Sequence, residues 1–158
     1  LGDYVAAGAD MITVHVESER NHIHRVLQAL GTMSNANDSD RGLVRGVALN
    51  PGTPVEAVQP VIDEVDLILL LAVNPGWSSQ TFISSTQRRL NRVSEIIRDS
   101  GRDILLGVDG GINRGNIAEV ARMGADIIVT GSAVFDGKTP AKNARFMLSA
   151  VRDAKKDG

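Results

Sequence analysis

Short apolar runs of strand length recur along this chain and alternate with segments of helical pattern. The runs are almost continuously apolar instead of alternating with polar residues, which is typical of parallel strands that are covered on both faces. The pattern therefore predicts an α/β fold built on one parallel sheet. Five strands are predicted, at residues 11–14, 44–49, 67–73, 104–108 and 127–130.

Residue types that favour helix starts occur between these strands. Residues 53–56 (Thr-Pro-Val-Glu) offer an N-cap, a proline at the first helical position and a capping-box glutamate. The Thr-Pro pair at residues 139–140 repeats the cap and the proline, and Asn113 is predicted to cap the helix that follows it. Residues 84–100 predict a long amphipathic helix with Leu90, Val93 and Ile97 on one stripe.

A weak internal repeat supports successive strand–helix units. Residues 8–12 (Gly-Ala-Asp-Met-Ile) resemble residues 124–128 (Gly-Ala-Asp-Ile-Ile), and in each copy a glycine is predicted to end a helix before a strand. Residues 31–45 differ, because their Ser, Asn, Asp and Gly content predicts a longer polar loop on the face away from the chemistry.

Charge and cysteine content argue against several classes of protein. The 158 residues carry 17 Lys and Arg against 19 Asp and Glu, a balance that argues against a nucleic-acid-binding surface. The chain contains no cysteine, so neither a disulfide framework nor a thiolate metal site can form. The longest apolar run, residues 67–73, is far too short to span a membrane. We therefore expect a cytoplasmic protein with no nucleic acid and no membrane as partner.

Small polar residues follow two neighbouring strands where each is predicted to end. Asp109, Gly110 and Gly111 follow the fourth strand, and Gly131 and Ser132 follow the fifth. The C-terminal ends of neighbouring parallel strands meet at one edge, so backbone N–H groups and a hydroxyl would converge there, as they do where α/β barrels hold a phosphate. On this pattern alone, Asp109 could equally be an Asx-turn residue, and the Gly-Ser pair could simply mark a helix entry.

Five strand–helix units do not close an eight-stranded barrel, which needs ~250 residues on average and ~200 at minimum. Two arrangements fit: an open five-stranded sheet, or a barrel whose first three units are missing. We favour the second, because an open sheet would leave residues 11–14 as an apolar edge strand. Residues 1–158 are thus expected to form a single domain, the C-terminal portion of a TIM barrel.

Several motifs in the same order resemble the ribulose-phosphate 3-epimerase family, whose members are (β/α)8-barrel enzymes. The resemblance runs through nearly the whole chain and implies that the five strands are barrel strands four to eight. The matching pieces lie at residues 7–10, 13–17, 47–54, 65–70, 73–77, 108–112 and 131–135.

The resemblance implies epimerisation of D-ribulose 5-phosphate to D-xylulose 5-phosphate at C3 through an enediolate. It identifies Asp109 as the proton donor and as a ligand of a divalent metal ion, for which zinc, iron, manganese or cobalt would suit. The family's other aspartate and its two histidine ligands belong to strands two and three, which this chain lacks. His15 is therefore expected to be a buried or supporting histidine and not a ligand.

The resemblance also implies the contacts to the substrate phosphate. A loop at residues 76–79, comprising Gly76, Trp77, Ser78 and Ser79, would close over it, with further contacts from Gly110, Gly111, Gly131 and Ser132. Three positions depart from the family. Ser78 and Ser79 replace the usual glycines, where a positive φ could be required, and Leu71 stands where a methionine is common.

Other functions fit the same residues. One is 3-epimerisation of a hexulose 6-phosphate such as allulose 6-phosphate, and another is a non-catalytic fragment or degenerate homologue. A different phosphate-binding barrel, such as one from tryptophan or thiamine biosynthesis, is a third. In each enzymatic case the partner is a phosphorylated ketose or a related sugar phosphate, and exposed barrel edges favour a homo-oligomer.

Overall fold

A computed structural model describes residues 1–18, 21–77 and 80–156. Strands and helices alternate along these residues. The strands are β1 (Met11–His15), β2 (Val44–Leu49), β3 (Leu67–Leu71), β4 (Leu105–Asp109) and β5 (Ile127–Val129). The α-helices are α1 (Gly2–Ala6), α2 (Ile23–Gly31), α3 (Thr86–Ser100), α4 (Ile117–Ala121) and α5 (Pro140–Ala154), and a 3₁₀ helix covers Val55–Glu64.

All five strands form one parallel sheet in chain order, β1-β2-β3-β4-β5. This confirms the predicted strands and their parallel arrangement, although β3 ends two residues earlier than predicted and β4 extends through Asp109. The pairing places Leu71 of β3 directly opposite Asp109 of β4, and Asp109 opposite Val129 of β5. The C-terminal ends of β3, β4 and β5 therefore lie side by side.

The two faces of the sheet are covered to different extents. The outer face packs under the helices, and its central side chains, such as Val47, Ile68 and Val108, have no exposed surface. The inner face is partly open, since Leu105 is 38% exposed and Val129 is 39% exposed. Side chains alternate between the faces along each strand, so Asp109 shares the inner face with Leu105.

The two glycines of the internal repeat, which were predicted to end a helix before a strand, both have a positive φ. Gly8 has a φ of 92° and Gly124 a φ of 88°, and each lies just before a strand. Such a backbone conformation favours glycine because it has no Cβ. Both repeat copies thus make the same turn from helix to strand.

The helix starts agree with the sequence only in part. Residues 53–56 lie at the start of the 3₁₀ helix, whose N-cap position is occupied by Pro54, and the Thr53 hydroxyl donates to Glu17 instead of capping. Asn116, not Asn113, is the N-cap of α4, because the Asn113 side chain bonds the Gly115 N–H within the preceding turn. The predicted helix at 84–100 begins at Thr86.

The long helix α3 packs as predicted along its apolar stripe. Leu90 and Val93 have no exposed surface, and Ile97 packs against the same core. At the other helix predicted from a Thr-Pro pair, Pro140 is the first residue of α5 and Thr139 precedes it. The predicted polar loop lies between Gly31, where α2 ends, and Val44, where β2 begins. Within the described residues, no helix is long and apolar enough to cross a membrane.

An aspartate just before β3 fixes the register of β2 against it. Asp66 Oδ2 accepts hydrogen bonds from the backbone N–H and from Nε of Arg45, both at 3.0 Å. Burial acts to raise the pKa of Asp66, but the Arg45 hydrogen bonds and charge outweigh it and hold the pKa below its ordinary 3.8. The same interactions raise the pKa of Arg45.

Replacing Asp66 by Asn tests this contact. The substitution keeps an acceptor but removes the charge, and we expect it to lower the free energy of unfolding at pH 7 by about 1–3 kcal/mol. The folded-state pKa is lowered, so the loss is present above pH 3.8 and disappears as the pH falls through the lower folded value. Urea unfolding from pH 2 to 7 measures it. The exposed Asp63→Asn is the matched control, and equal effects of the two variants would contradict the assignment.

Candidate active site

A cleft of about 840 Å³ opens at the C-terminal edge of β3, β4 and β5. Its walls bring together six of the site residues that the sequence predicted. These are Trp77, Asp109, Gly110, Gly111, Gly131 and Ser132. Gly76 directly precedes Trp77 with a φ of 121° but is not among the lining residues. The predicted contacts of Ser78 and Ser79 fall outside the described residues.

Asp109 places a carboxyl group in the wall of the cleft, at the C-terminal end of β4. It is the last residue of β4, and its side chain is half-buried on the inner face. Burial raises the pKa of Asp109, and a hydrogen bond from the Gly110 N–H offsets this only partly. The carboxyl group therefore stays protonated to a higher pH than an exposed aspartate. A carboxylic acid of this kind can donate a proton to a ligand in the cleft.

The glycine pair after Asp109 lets two loops pack closely. Gly110 and Gly111 have φ values of 106° and 67°, in the region that favours glycine. A Cβ on Gly111 would lie 2.6 Å from the backbone nitrogen of Phe82, and a Cβ on Gly110 would lie 3.2 Å from that of Val73. The loop after β4 is therefore pressed against the loop after β3, and this contact shapes the cleft.

The glycine after β5 has a different environment. The carbonyl of Gly131 accepts hydrogen bonds from the N–H groups of Val134, at 2.9 Å, and Phe135, at 3.0 Å, which close a tight turn. A Cβ built on Gly131 would meet no atom within 4 Å. Gly131 and Ser132 are both exposed to the cleft, so the turn leaves open space at the point where a ligand group could approach its backbone.

Two side chains tie the turns together beyond the ends of the strands. Thr130 Oγ1 donates to the carbonyl of Ile112 at 3.0 Å, which joins the turn after β5 to the turn after β4. Asn116 Nδ2 donates to the carbonyl of Gly111 at 3.0 Å. No role was predicted for either side chain. The Thr130 bond joins two separate loops and leaves no spacing signal in the sequence, and the Asn116 bond depends on the fold of the turn after β4.

Trp77 stands at the mouth of the cleft, with 67% of its surface exposed. Gln80 holds the backbone beside it, because its side-chain amide donates to the carbonyls of Asn74, at 2.5 Å, and Trp77, at 2.9 Å. Its Oε1 also accepts from the Asn74 N–H. Gln80 was not predicted from the sequence as a site residue, yet its side chain holds the backbone of the aromatic residue next to the cleft.

A second polar cluster lies at the ends of β1 and β2. His15 Nδ1 is 3.1 Å from Glu17 Oε2, and Glu17 Oε1 accepts from the Asn50 N–H and the Thr53 hydroxyl. Burial acts to raise the pKa of Glu17, but these hydrogen bonds lower it overall. Arg89 donates to the carbonyls of Asn50 and Thr53. The His15 side chain is 37% exposed, so it supports Glu17 without being buried.

The described residues do not fit a metal ion by themselves. No group of three or more His, Cys, Asp or Glu side chains among them is placed to hold one. Asp109, the predicted ligand, has a pKa raised by burial, which is the shift expected of a carboxyl group without a neighbouring cation. A metal at Asp109 would therefore need further ligands from outside the described residues.

Comparison with known proteins confirms the family resemblance. The chain matches the model of the Ribulose-phosphate 3 epimerase family over residues 1–135. It is 43% identical over 133 residues to a ribulose-phosphate 3-epimerase of Serratia marcescens, covering 84% of this chain and 59% of the relative. It is 40% identical over 152 residues to that of Aquifex aeolicus, covering 94% and 64%. The chain thus spans less than two thirds of the length of these curated relatives.

Solved structures confirm the fold class. A ligand-bound structure of KGPDC from Streptococcus mutans has a TM-score of 0.69 at 15% identity, covering 96% of this chain and 66% of that one. The 3-hexulose-6-phosphate synthase from Salmonella typhimurium has a TM-score of 0.60 at 19% identity, covering 94% and 64%. At these identities the likeness concerns the fold alone. The chain has the architecture of part of a (β/α) barrel.

Replacement by alanine is expected to affect stability differently at the crowded Gly111 and at the open Gly131. Gly111→Ala should lower the free energy of unfolding by about 1–3 kcal/mol, because the Cβ meets the backbone of Phe82 in a left-handed conformation. Gly131→Ala should stay within about 0.5 kcal/mol, because its Cβ meets nothing. Urea unfolding of both variants measures the difference. A destabilisation by Gly131→Ala as large as that by Gly111→Ala would contradict the packing argument.

The raised pKa of Asp109 predicts a stability effect opposite in sign to that of Asp66. Unfolding lets Asp109 ionise more readily, so its contribution falls as the pH rises from 3.8 through the raised folded value. Asp109→Asn should therefore gain stability over wild type across that window and show no such gain below pH 3.8. Urea unfolding at a series of pH values measures this gain. A difference that does not depend on pH, or that shrinks as the pH rises, would exclude the desolvation argument.

Proposed function

The chain belongs to the ribulose-phosphate 3-epimerase family, and on that premise we propose that it supplies the proton-donating and phosphate-binding part of a sugar-phosphate 3-epimerase. The proposed reaction converts D-ribulose 5-phosphate to D-xylulose 5-phosphate. The observation that carries the proposal is the position of Asp109 in one cleft with two glycine-containing turns. A carboxyl group beside a phosphate-sized opening suits proton transfer on a small phosphorylated substrate.

The chemistry requires proton transfer on both faces of the sugar. A base removes the proton from C3 next to the ketone, which gives an enediolate, and an acid returns a proton to the opposite face. Asp109 is proposed as that acid, and its position at the end of β4 in the wall of the cleft supports the role. The base that faces it is proposed to come from a part of the barrel that the described residues do not include.

The phosphate is proposed to bind between the two turns. Gly110, Gly111, Gly131 and Ser132 line that end of the cleft. The proposed donors are the backbone N–H groups of Gly111, Gly131 and Ser132 and the Ser132 hydroxyl, while the Gly110 N–H donates to Asp109. The open space next to Gly131 supports an approach of phosphate oxygens to the backbone. Trp77, with its neighbours Gly76, Ser78 and Ser79, is proposed to cover the phosphate from the loop after β3.

We propose that a divalent metal binds only where further ligands, from outside the described residues, complete the site. Asp109 would supply one ligand, and zinc, iron, manganese or cobalt would each accept a set of carboxylate and imidazole ligands. When bound, such an ion would stabilise negative charge on the substrate oxygens. The 158 residues alone are proposed to be inactive, because the described part of the chain offers no group of three ligands.

The charge and the exposed apolar side chains of the chain bear on its proposed partners. The near balance of 17 basic and 19 acidic residues supports a protein without a nucleic-acid partner. Exposed apolar side chains on the inner face, such as Met11 at 40% and Leu105 at 38%, support association into a homo-oligomer. A cytoplasmic location without a membrane partner stays a proposal.

A hexulose 6-phosphate such as allulose 6-phosphate is the second candidate substrate. A cleft of about 840 Å³ is large enough for a ketose phosphate with one more carbon. Kinetics with both ketose phosphates in competition decide between them. A kcat/KM that is higher for the hexulose phosphate would replace the first substrate by the second.

Substitution of Asp109 tests the proposed reaction in the longer protein that carries this chain. Asp109→Asn removes the transferable proton and should lower kcat for ribulose 5-phosphate by about 10²–10⁴-fold. Gly131→Ala should instead raise KM, because its Cβ would enter the proposed phosphate position. The exposed Asp103→Asn, placed before β4, is the matched control and should leave both constants unchanged. Full activity of Asp109→Asn would refute the assigned role.

A further inference from the structure

A buried asparagine on α5 connects the two turns that are proposed to hold the phosphate. Asn143 is only 3% exposed, and its Nδ2 donates to the carbonyl of Val134 at 3.0 Å. Val134 belongs to the turn after β5, because its N–H donates to the carbonyl of Gly131. One end of the Asn143 amide is therefore fixed to the turn that carries Gly131 and Ser132.

The other end of the same amide reaches the turn after β4. Asn143 Oδ1 accepts a hydrogen bond from Arg114 Nη1 at 3.2 Å, and Arg114 lies three residues after Gly111. The Arg114 guanidinium also stacks on the ring of Phe146, with its central carbon 3.9 Å from the ring centroid. Arg114 is thus held from two directions by residues of α5.

Asn143 therefore joins Thr130 in cross-linking two turns that the sheet does not pair. The ladder between β4 and β5 ends at Asp109 and Val129, before either turn begins. Beyond that point, the described cross-links are the bond from Thr130 to Ile112 and the Asn143 bridge. Asn143 also lies beyond residue 135, where the family model ends.

We propose that Asn143 is a positioning residue for phosphate binding: its amide holds the turn at Gly110–Gly111, through Arg114, and the turn at Gly131–Ser132, through Val134, in the relative position in which both contact the phosphate. The inference rests on the proposed function of these turns. Hydrogen bonds to phosphate oxygens depend steeply on distance and angle, so a small increase in the separation weakens the contacts of one turn. Asn143 touches no substrate and acts through the backbone of both turns.

Removal of the amide tests the inference in the longer protein that carries this chain. Asn143→Ala removes both hydrogen bonds, and Asn143→Asp keeps the acceptor for Arg114 but loses the donor to Val134. Ser149→Ala, at an exposed position of the same helix, is the matched control. For each folded variant we measure KM and kcat for ribulose 5-phosphate, and we titrate inorganic phosphate against the backbone NMR signals of Gly131 and Ser132.

Both Asn143 variants should bind inorganic phosphate about tenfold more weakly and show a KM raised by a similar factor, with kcat within about threefold of wild type. The Ser149→Ala control should match wild type in every constant. Unchanged phosphate affinity in a folded Asn143 variant overturns this inference while the proposed function stands. A loss confined to kcat also overturns it. If the wild type shows no phosphate binding at these turns, the proposed function fails together with the inference.

Discussion

Burial of the outer face of the sheet is the constraint on which every proposed site residue depends. Val47, Ile68 and Val108 have no exposed surface beneath the helices, and side chains alternate along each strand, so a slip of one residue would move this apolar set to the inner face. The same alternation directs Asp109 to the inner face, one residue after Val108. The hydrophobic effect on its neighbours therefore decides the direction in which this carboxylate points.

The positions of the strands and of the two repeat glycines were predictable from the sequence because each depends on local chemistry. Strand-length apolar runs predict burial on both faces, and Gly8 and Gly124 lie where a helix must reverse into a strand. Asp109 and Gly111 could also be found, since parallel strands bring their C-terminal ends to one edge. What the sequence could predict was therefore set by periodicity, by turn geometry and by the resemblance of ordered motifs.

The contacts that assemble the site were not predictable, because they join residues far apart in the chain. Asn143 bonds Arg114 across 29 positions, and Glu17 bonds Thr53 across 36. Even local capping was misjudged, since Asn113 and Asn116 both carry a side chain suited to an N-cap and only the fold of the turn selects Asn116. Hydrogen bonds between loops leave no periodic pattern, so their partners emerge only from the assembled structure.

Glycine in the candidate site serves two distinct physical needs, and separating them changes how the motif is interpreted. Gly111 is required by the chain itself, because a side chain there would meet the backbone of Phe82. Gly131 is required by nothing in the described structure, because a Cβ there would meet no atom within 4 Å. The same open space lies beside Gly2, Gly42 and Gly52, so it is the position of Gly131 in the wall of the cleft that distinguishes it. There the open space lets a ligand group approach the backbone, whereas Gly111 determines the shape of the cleft.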